Sequence, residues 1–337
     1  MKFQMLPKVS VIWLNYNSEY EPDKVRARRE LEIAEKSLSS LGKLGYTNYE
    51  LILLDNNSSN DSMERVKGLI RGSHLGRSEI KLLKQSQNCG FAGAMNAAYG
   101  IIDKTAEYVA LVHYNVIARA DYLTSLIEYV RNNPKVGAAQ GIVAKTDCNS
   151  LIDTAGAFLN ESLDIAFIFM GKPVSTIRSP IRISYVEGVM PIYNVAAVRY
   201  VMQDERHLYI PGIWAYYLDD VFLSLIMWNY GYENIVLPIV TGEHCHTTSK
   251  SLRFNYFFLR NHIALLVMTN SRHKWLRLLK QLWMITVSVS DLPQRAIILN
   301  AMVQGFRMGK QLQKKFGTIN VYAAPLVETP LITRHLF

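Results

Sequence analysis

Acids, amides and imidazoles fall at a few defined places in this 337-residue chain. Asp219 and Asp220 are adjacent in YYLDDVFLSLIMWNYGY, where an apolar helical pattern begins. Repulsion within such a pair can raise one pKa, which suits a general base, and either acid could equally cap the helix. Asp55 ends the aliphatic run YELILLD. A carboxylate there can accept from a base imide or a ribose hydroxyl, or can hold the turn at residues 56–57 as an Asx cap. Gly90 and Gly93 flank Phe91 and Ala92, allow close backbone approach and open a helix whose N–H groups favour phosphate. Asn96 stands one turn further on, expected to face the same way. His113-Tyr114-Asn115 closes another aliphatic run, and His244 and His246 alternate along an extended segment so that both can face one side.

These residues need a frame, and the apolar pattern supplies one. KVSVIWLNY, YELILLDNN and YVALVHYNV are short runs bounded by polar residues, as buried parallel strands are. Helical spacing lies between and after them, at residues 23–41, 61–70, 92–102 and 122–131, with a further strand at 136–143. Strand alternating with helix predicts an α/β fold with a mostly parallel, doubly wound, Rossmann-like sheet, whose ligand crevice lies at the carboxyl ends of the strands. Asn15 and Asn17, Asp55 to Asn57, and His113 to Asn115 all sit at such ends.

From residue 9 to about 261 the order of motifs resembles the inverting glycosyltransferases of family two, in particular their rhamnosyltransferase-like branch. VSVIWLNYNS, ELILLDNNSSNDS and QNCGFAGAMNAAY resemble that family's first strand and Asn-Tyr-Asn-Ser turn, its Asp-Asn-x-Ser segment and its Asn-x-Gly-Phe-Ala-Gly loop. IDTAGAFLN, YVEGVMPIYN, LDDVFLS, HCHTTS and FFLRNHIALL resemble later family motifs in order. The resemblance implies a GT-A type fold with a C-terminal helical extension. Residues 1–250 would form the catalytic domain, with a nucleotide-sugar half at about 1–118 and an acceptor half at about 119–250, and 251–337 the extension.

It implies a nucleotide-binding set of Asn15, Asn17, Asp55, Asn57, Asn88, Gly90, Phe91, Gly93 and Asn96. Asp220 takes the catalytic place and Asp219 that of a preceding Glu. A divalent cation, Mn²⁺ or Mg²⁺, could be held by His113 and Asn115 with a downstream histidine, His244 favoured over His246 as the metal contact, or basic side chains could neutralise the diphosphate without metal. Two positions depart from the family: Asn115 stands where a metal-binding Asp is usual, and an amide is a weaker ligand than a carboxylate; Phe222 stands at a further acidic position. Metal dependence is therefore in question.

The implied activity is inverting transfer from a UDP- or dTDP-sugar to a saccharide or lipid-linked acceptor. The alternatives are a non-catalytic nucleotide-sugar or glycan-binding protein on the same fold, and a nucleotidyltransferase. The last would want a basic, Gly-rich loop after the first strand, where this chain has NYNSEYEPD. Residues 250–316 carry 12 Lys and Arg against the single acid Asp291, so the formal charge of +9 is concentrated there. With Trp275, Leu276, Leu279, Trp283, Ile298 and Phe306 interleaved, residues 272–316 read as an interfacial region on an anionic membrane surface, with packing on the catalytic body as the other reading. Nucleic acid is not expected, since no nucleic-acid module is recognisable. Three scattered cysteines give no disulfide framework. The expected setting is cytoplasmic, peripheral on the inner face of the cell membrane.

Overall fold

The structure, a computed structural model, describes residues 5–16, 24–58, 62–72, 79–213, 218–245, 256–288 and 291–328. The amino-terminal half alternates strand and helix: β1 (Val9–Asn15), α1 (Lys24–Leu41), β2 (Tyr49–Asp55), α2 (Ser62–Gly72), β3 (Glu79–Lys84), α3 (Gly90–Tyr99) and β4 (Tyr108–His113). There follow β5 (Val116–Ala118), α4 (Tyr122–Arg131), β6 (Val136–Lys145), β7 (Cys148–Thr154), the small pair β8 (Phe158–Leu159) and β9 (Ile165–Ala166), then β10 (Ile181–Arg182) and β11 (Pro191–Asn194). The remainder is α5 (Val195–Met202), α6 (Asp219–Asn229), β12 (Glu233–His244), α7 (Tyr256–Met268), α8 (Lys274–Ser288) and α9 (Leu292–Phe316).

The main sheet runs β10-β12-β6-β11-β4-β1-β2-β3, with β5 on β12 and β7 on β6. β3, β2, β1 and β4 are mutually parallel, whereas β11 is antiparallel to both of its neighbours. Side-chain alternation explains why the apolar runs are nearly continuous. Ile12, Leu14, Ile52, Leu54, Val109 and Leu111 face one core with α3, α5, α6, α7 and α9. Val11, Trp13, Leu51, Leu53, Ala110 and Val112 face the other with α1, α2 and α4. A strand covered by helices on both faces has no solvated side to mark with polar residues.

The expected strand at YVALVH is the fourth and not the third. β3, EIKLLK, adds a strand that the apolar pattern does not mark, because it is an edge strand with Lys81 between its apolar residues, Lys84 at its end and Leu82 exposed. The register Asn15↔Asp55 and Leu14↔His113 brings the ends of β1, β2 and β4 together, as the sequence implied.

The carboxyl-terminal helices share the first of these cores. α7 is buried from Asn261 to Met268, and α9 lays Ile298, Ala301, Met302, Gly305, Gly309, Leu312 and Phe316 inward. The glycines set the α7–α9 separation: a Cβ at Gly305 would lie 2.4 Å from the Arg260 carbonyl oxygen and 2.7 Å from Ile263 Cβ. Among the described residues no helix is long and apolar enough to cross a membrane.

Gly305→Ala gains up to about 1 kcal/mol of helix propensity but forces overpacking that costs about 1–3 kcal/mol. Its thermal midpoint should fall, and an unchanged midpoint would show that the helices separate freely. His262 is buried, stacks on Phe258 at 6.0 Å and lies 3.1 Å from the Gln281 amide through Nδ1. Burial pushes its pKa down to about 4, below the roughly 6.5 of an exposed imidazole. The neutral ring therefore contributes stability that is complete above pH 6.5 and is lost as pH falls towards 4. His262→Gln should flatten that limb of a urea-unfolding series by up to about 3 kcal/mol.

Candidate active site

The end of β2 is tied to the end of β1 through a buried carboxylate. Asp55 is fully buried; its Oδ1 accepts from Asn15 Nδ2 at 3.1 Å, from Ser58 N at 3.3 Å and from the Ser58 hydroxyl. Its Oδ2 is buried with no hydrogen-bond partner. The turn beyond it passes through Asn57, exposed and at φ 65°, a left-handed conformation that Asn tolerates. Asn56, which sequence reasoning passed over, stitches this turn to the loop before α3. Its Nδ2 donates to Asn88 Oδ1 at 3.0 Å and its Oδ1 accepts from Cys89 N at 3.0 Å. Asn88 Oδ1 also accepts from Gly90 N at 2.8 Å. Gly90 has φ 69°, so the sharp entry to α3 favours glycine, and Gly93 lies so close to Cys89 that a Cβ would sit 3.0 Å from that of Cys89.

Asn96 is placed otherwise than expected. Its amide exchanges two hydrogen bonds with the main chain of Tyr209, Nδ2 to O at 2.9 Å and N to Oδ1 at 2.7 Å. A side chain so committed positions the segment leading to α6 and does not reach outward. Phe91, by contrast, crosses between the halves of the molecule. Its ring lies 6.0 Å from Tyr209 and 6.4 Å from His113 and covers Gly188, where a Cβ would come within 3.0 Å of the ring edge.

Gly188 carries the connection to the acids, since its N–H donates to Asp220 Oδ2 at 3.2 Å. Asp219 and Asp220 begin α6, and neither caps it: the N-cap position is Leu218, at φ 85°. Asp220 Oδ1 accepts from Val221 N at 2.8 Å, and Asp219 Oδ2 is buried without a hydrogen-bond partner. Desolvation first and the adjacent Asp219 second raise Asp220 well above the usual carboxylate range, and desolvation raises Asp219 to about 6. Phe222 is fully buried in the core and brings no polar group to the site.

Two further acids belong here. Glu187, beside Gly188, is pushed up to about 8 by burial, then by the charges of Asp220 and Asp153, and its Oε2 has no hydrogen-bond partner. Asp153 ends β7 and pairs with His244 Nδ1 at 2.6 Å. Both lie inside the motifs IDTAGAFLN and YVEGVMPIYN, but nothing in the sequence says that their side chains meet Asp220 and His244.

The turn between β4 and β5 brings the imidazole and amide groups together. His113 Nδ1 lies 2.6 Å from Asn115 Oδ1, and β5 pairs Val116 with His244. Desolvation, with a smaller contribution from His244, pushes His113 down to about 4. His246 and Asn17 lie outside the described residues. Among the described residues His113 and His244 belong to no group of three His, Cys, Asp or Glu ligand atoms close enough to share an ion. In each imidazole Nδ1 is engaged by an oxygen, the arrangement that orients a metal-binding ring. A separate acidic trio, Glu50, Glu79 and Asp103, stands close enough to share an ion. It lies at the opposite, amino ends of the strands, where the Lys81 ammonium at 2.7 Å from Glu50 already supplies the positive charge.

Residues 25–185 match the sequence model of glycosyl transferase family 2. The match covers just under half of the chain. The family 2 segment contains Asp55, residues 88–96, His113, Asn115 and Asp153 and stops short of Glu187, Asp219, Asp220 and His244. No curated protein matches the chain in sequence. Among solved structures it is similar to GalNAc-T7 with UDP, GalNAc and Mn²⁺, at 13% identity and a TM-score of 0.59, over 92% of this chain and 57% of that one. It is also similar to TarS 1–349 of S. aureus in complex with UDP-GlcNAc, at 14% identity and a TM-score of 0.55, over 90% of this chain and 83% of that one. The fold of the chain is thus of the GT-A type.

Replacing Asp220 by Asn removes one of the charges acting on Glu187. Glu187 is then expected to titrate below about 8, which carbon-13 NMR of glutamate-labelled protein would follow; an unmoved titration would mean that burial alone sets it.

Proposed function

We propose that the chain is an inverting glycosyltransferase that moves a sugar from a UDP- or dTDP-sugar to a saccharide or lipid-linked acceptor at the inner face of the cell membrane. The observation that carries this reading is the short bridge from the nucleotide loop to the acids: Phe91 covers Gly188, and the Gly188 N–H holds Asp220. A donor seated on residues 88–93 would then present its anomeric carbon towards Asp220. The unpaired Oδ2 of Asp55 suits an imide N–H of uracil or thymine or a ribose hydroxyl. Asn15, Asn57, Asn88 and Gly93 shape the same nucleotide subsite, and Asn96 positions it through Tyr209.

In the transfer, Asp220 takes the proton of the acceptor hydroxyl as its oxygen bonds to the anomeric carbon. The bond from that carbon to the diphosphate breaks on the opposite face, and the nucleoside diphosphate leaves. Because burial and Asp219 raise the proton affinity of Asp220, it is a stronger base than an exposed carboxylate. Mn²⁺ or Mg²⁺ held by His113, Asn115, His244 and His246 would supply positive charge against the diphosphate. The UDP named with GalNAc-T7 and the UDP-GlcNAc named with TarS support a uridine donor.

A second reading, a nucleotide-sugar or glycan-binding protein without turnover, is favoured by the amide at Asn115 and the buried Phe222. One pair of variants separates the two. Asp55→Ala should weaken UDP or dTDP binding by about tenfold or more in calorimetry run with and without Mn²⁺. Asp220→Asn should keep that binding and abolish sugar transfer. Binding without turnover in the unaltered protein would support the second reading, and absence of binding to either nucleotide would defeat both.

A further inference from the structure

α8 and α9 each have a held side and an outward side. On the held side of α8, Leu278 is buried, Arg277 pairs with Asp164, Gln281 meets His262, and Lys274 Nζ donates to the Thr269 carbonyl at 3.0 Å. The outward side carries Trp275, Leu276, Leu279, Leu282 and Trp283, each 41–63% exposed. Their spacing places them on one stripe of a helix. In α9 the inward side is fixed by Gly305 and Gly309 against α7. Leu292, Leu299, Val303 and Phe306, 41–73% exposed, form a second stripe on another side.

Ten of the eighteen exposed large apolar side chains among the described residues lie between positions 275 and 306, under a tenth of the chain. Scattered exposed apolar residues are ordinary, but such a concentration marks an interaction surface. Its charge selects the partner. Lys280 borders the α8 stripe, Arg307 and Lys314 are exposed along α9, and the ammonium groups of Lys274 and Lys310 lie 5.8 Å and 5.9 Å from the ring centres of Trp275 and Phe306. Apolar side chains at the middle of the stripe with long cationic ones beside them match the acyl boundary and the anionic headgroups of a bilayer. A second copy of this chain fits poorly, because residues 250–316, with 12 basic residues and one acid, would meet an equally basic surface.

We propose that the outward side of α8, together with the exposed stripe of α9, lies in the interface of an anionic lipid bilayer, while the inward side of α9 serves only to fix the pair to the body. The inference gives a surface to the membrane placement in the reading above and is independent of the transfer chemistry.

The full chain is sedimented with vesicles of phosphatidylcholine alone or mixed with phosphatidylglycerol, without nucleotide. Binding is expected to the mixed vesicles and to weaken with added salt. Trp275→Ser with Leu279→Ser should lower partitioning by about tenfold or more, and Lys280→Glu with Lys310→Glu should erase the preference for the anionic lipid. All four side chains are outward, so thermal midpoints should stay unchanged. No binding to the mixed vesicles, or undiminished binding by the Trp275/Leu279 variant, would overturn the proposal. So would a wild-type dimer that this variant dissociates, with no vesicle binding, since the face would then belong to a second copy. Calorimetric nucleotide binding by the same variants reports on the transfer reading separately.

Discussion

One packing contact sets the spacing between the loop at residues 88–93 and Asp220: the ring of Phe91 on the bare Cα of Gly188. Phe91 begins α3, so its position follows from the tight entry at Gly90 and from the Asn56 amide that fastens residues 88–90 to the end of β2. Gly188 belongs to the acid-bearing half and gives its N–H to Asp220. A side chain at position 188 would crowd the ring and change the spacing between the loop at residues 88–93 and Asp220. Asn96 reinforces the same junction from behind, by replacing main-chain partners that the segment around Tyr209 would otherwise lack.

The site concentrates acids that are buried or half-buried. Asp153, Glu187, Asp219 and Asp220 come from three separate stretches of chain, and two of their oxygens lack hydrogen-bond partners. Desolvation is the first cause of each raised pKa among them, ahead of repulsion. Such an arrangement is costly in a fold that needs only stability, and it is consistent with a site that awaits a cationic or hydroxylic partner.

Most of the frame was legible because its signal is local. The runs at β1, β2 and β4 are apolar on both faces, and α4 is bounded where its periodicity ends. β3 escaped because an edge strand is half exposed and its lysines break the apolar run. In the site, Asp55, the glycine turn and Asp219–Asp220 stood out by residue type at element ends. Glu187 and Asp153 did not, since an acid in a motif looks alike whether it faces solvent or another acid. Asn96 misled for the same reason: helical spacing gave its direction but not the backbone that occupies it.

The sequence by itself determined the α/β alternation, the polar character of the strand ends and the basic excess of residues 250–316, because each depends on residue type and on neighbours a few positions away. Only the tertiary structure decided that Asn96 binds a segment 113 residues distant, that His244 meets Asp153 across 91 residues, and which sides of α8 and α9 are turned outward. Those outcomes depend on which distant surfaces pack together, and apolar periodicity names a buried face without naming its partner.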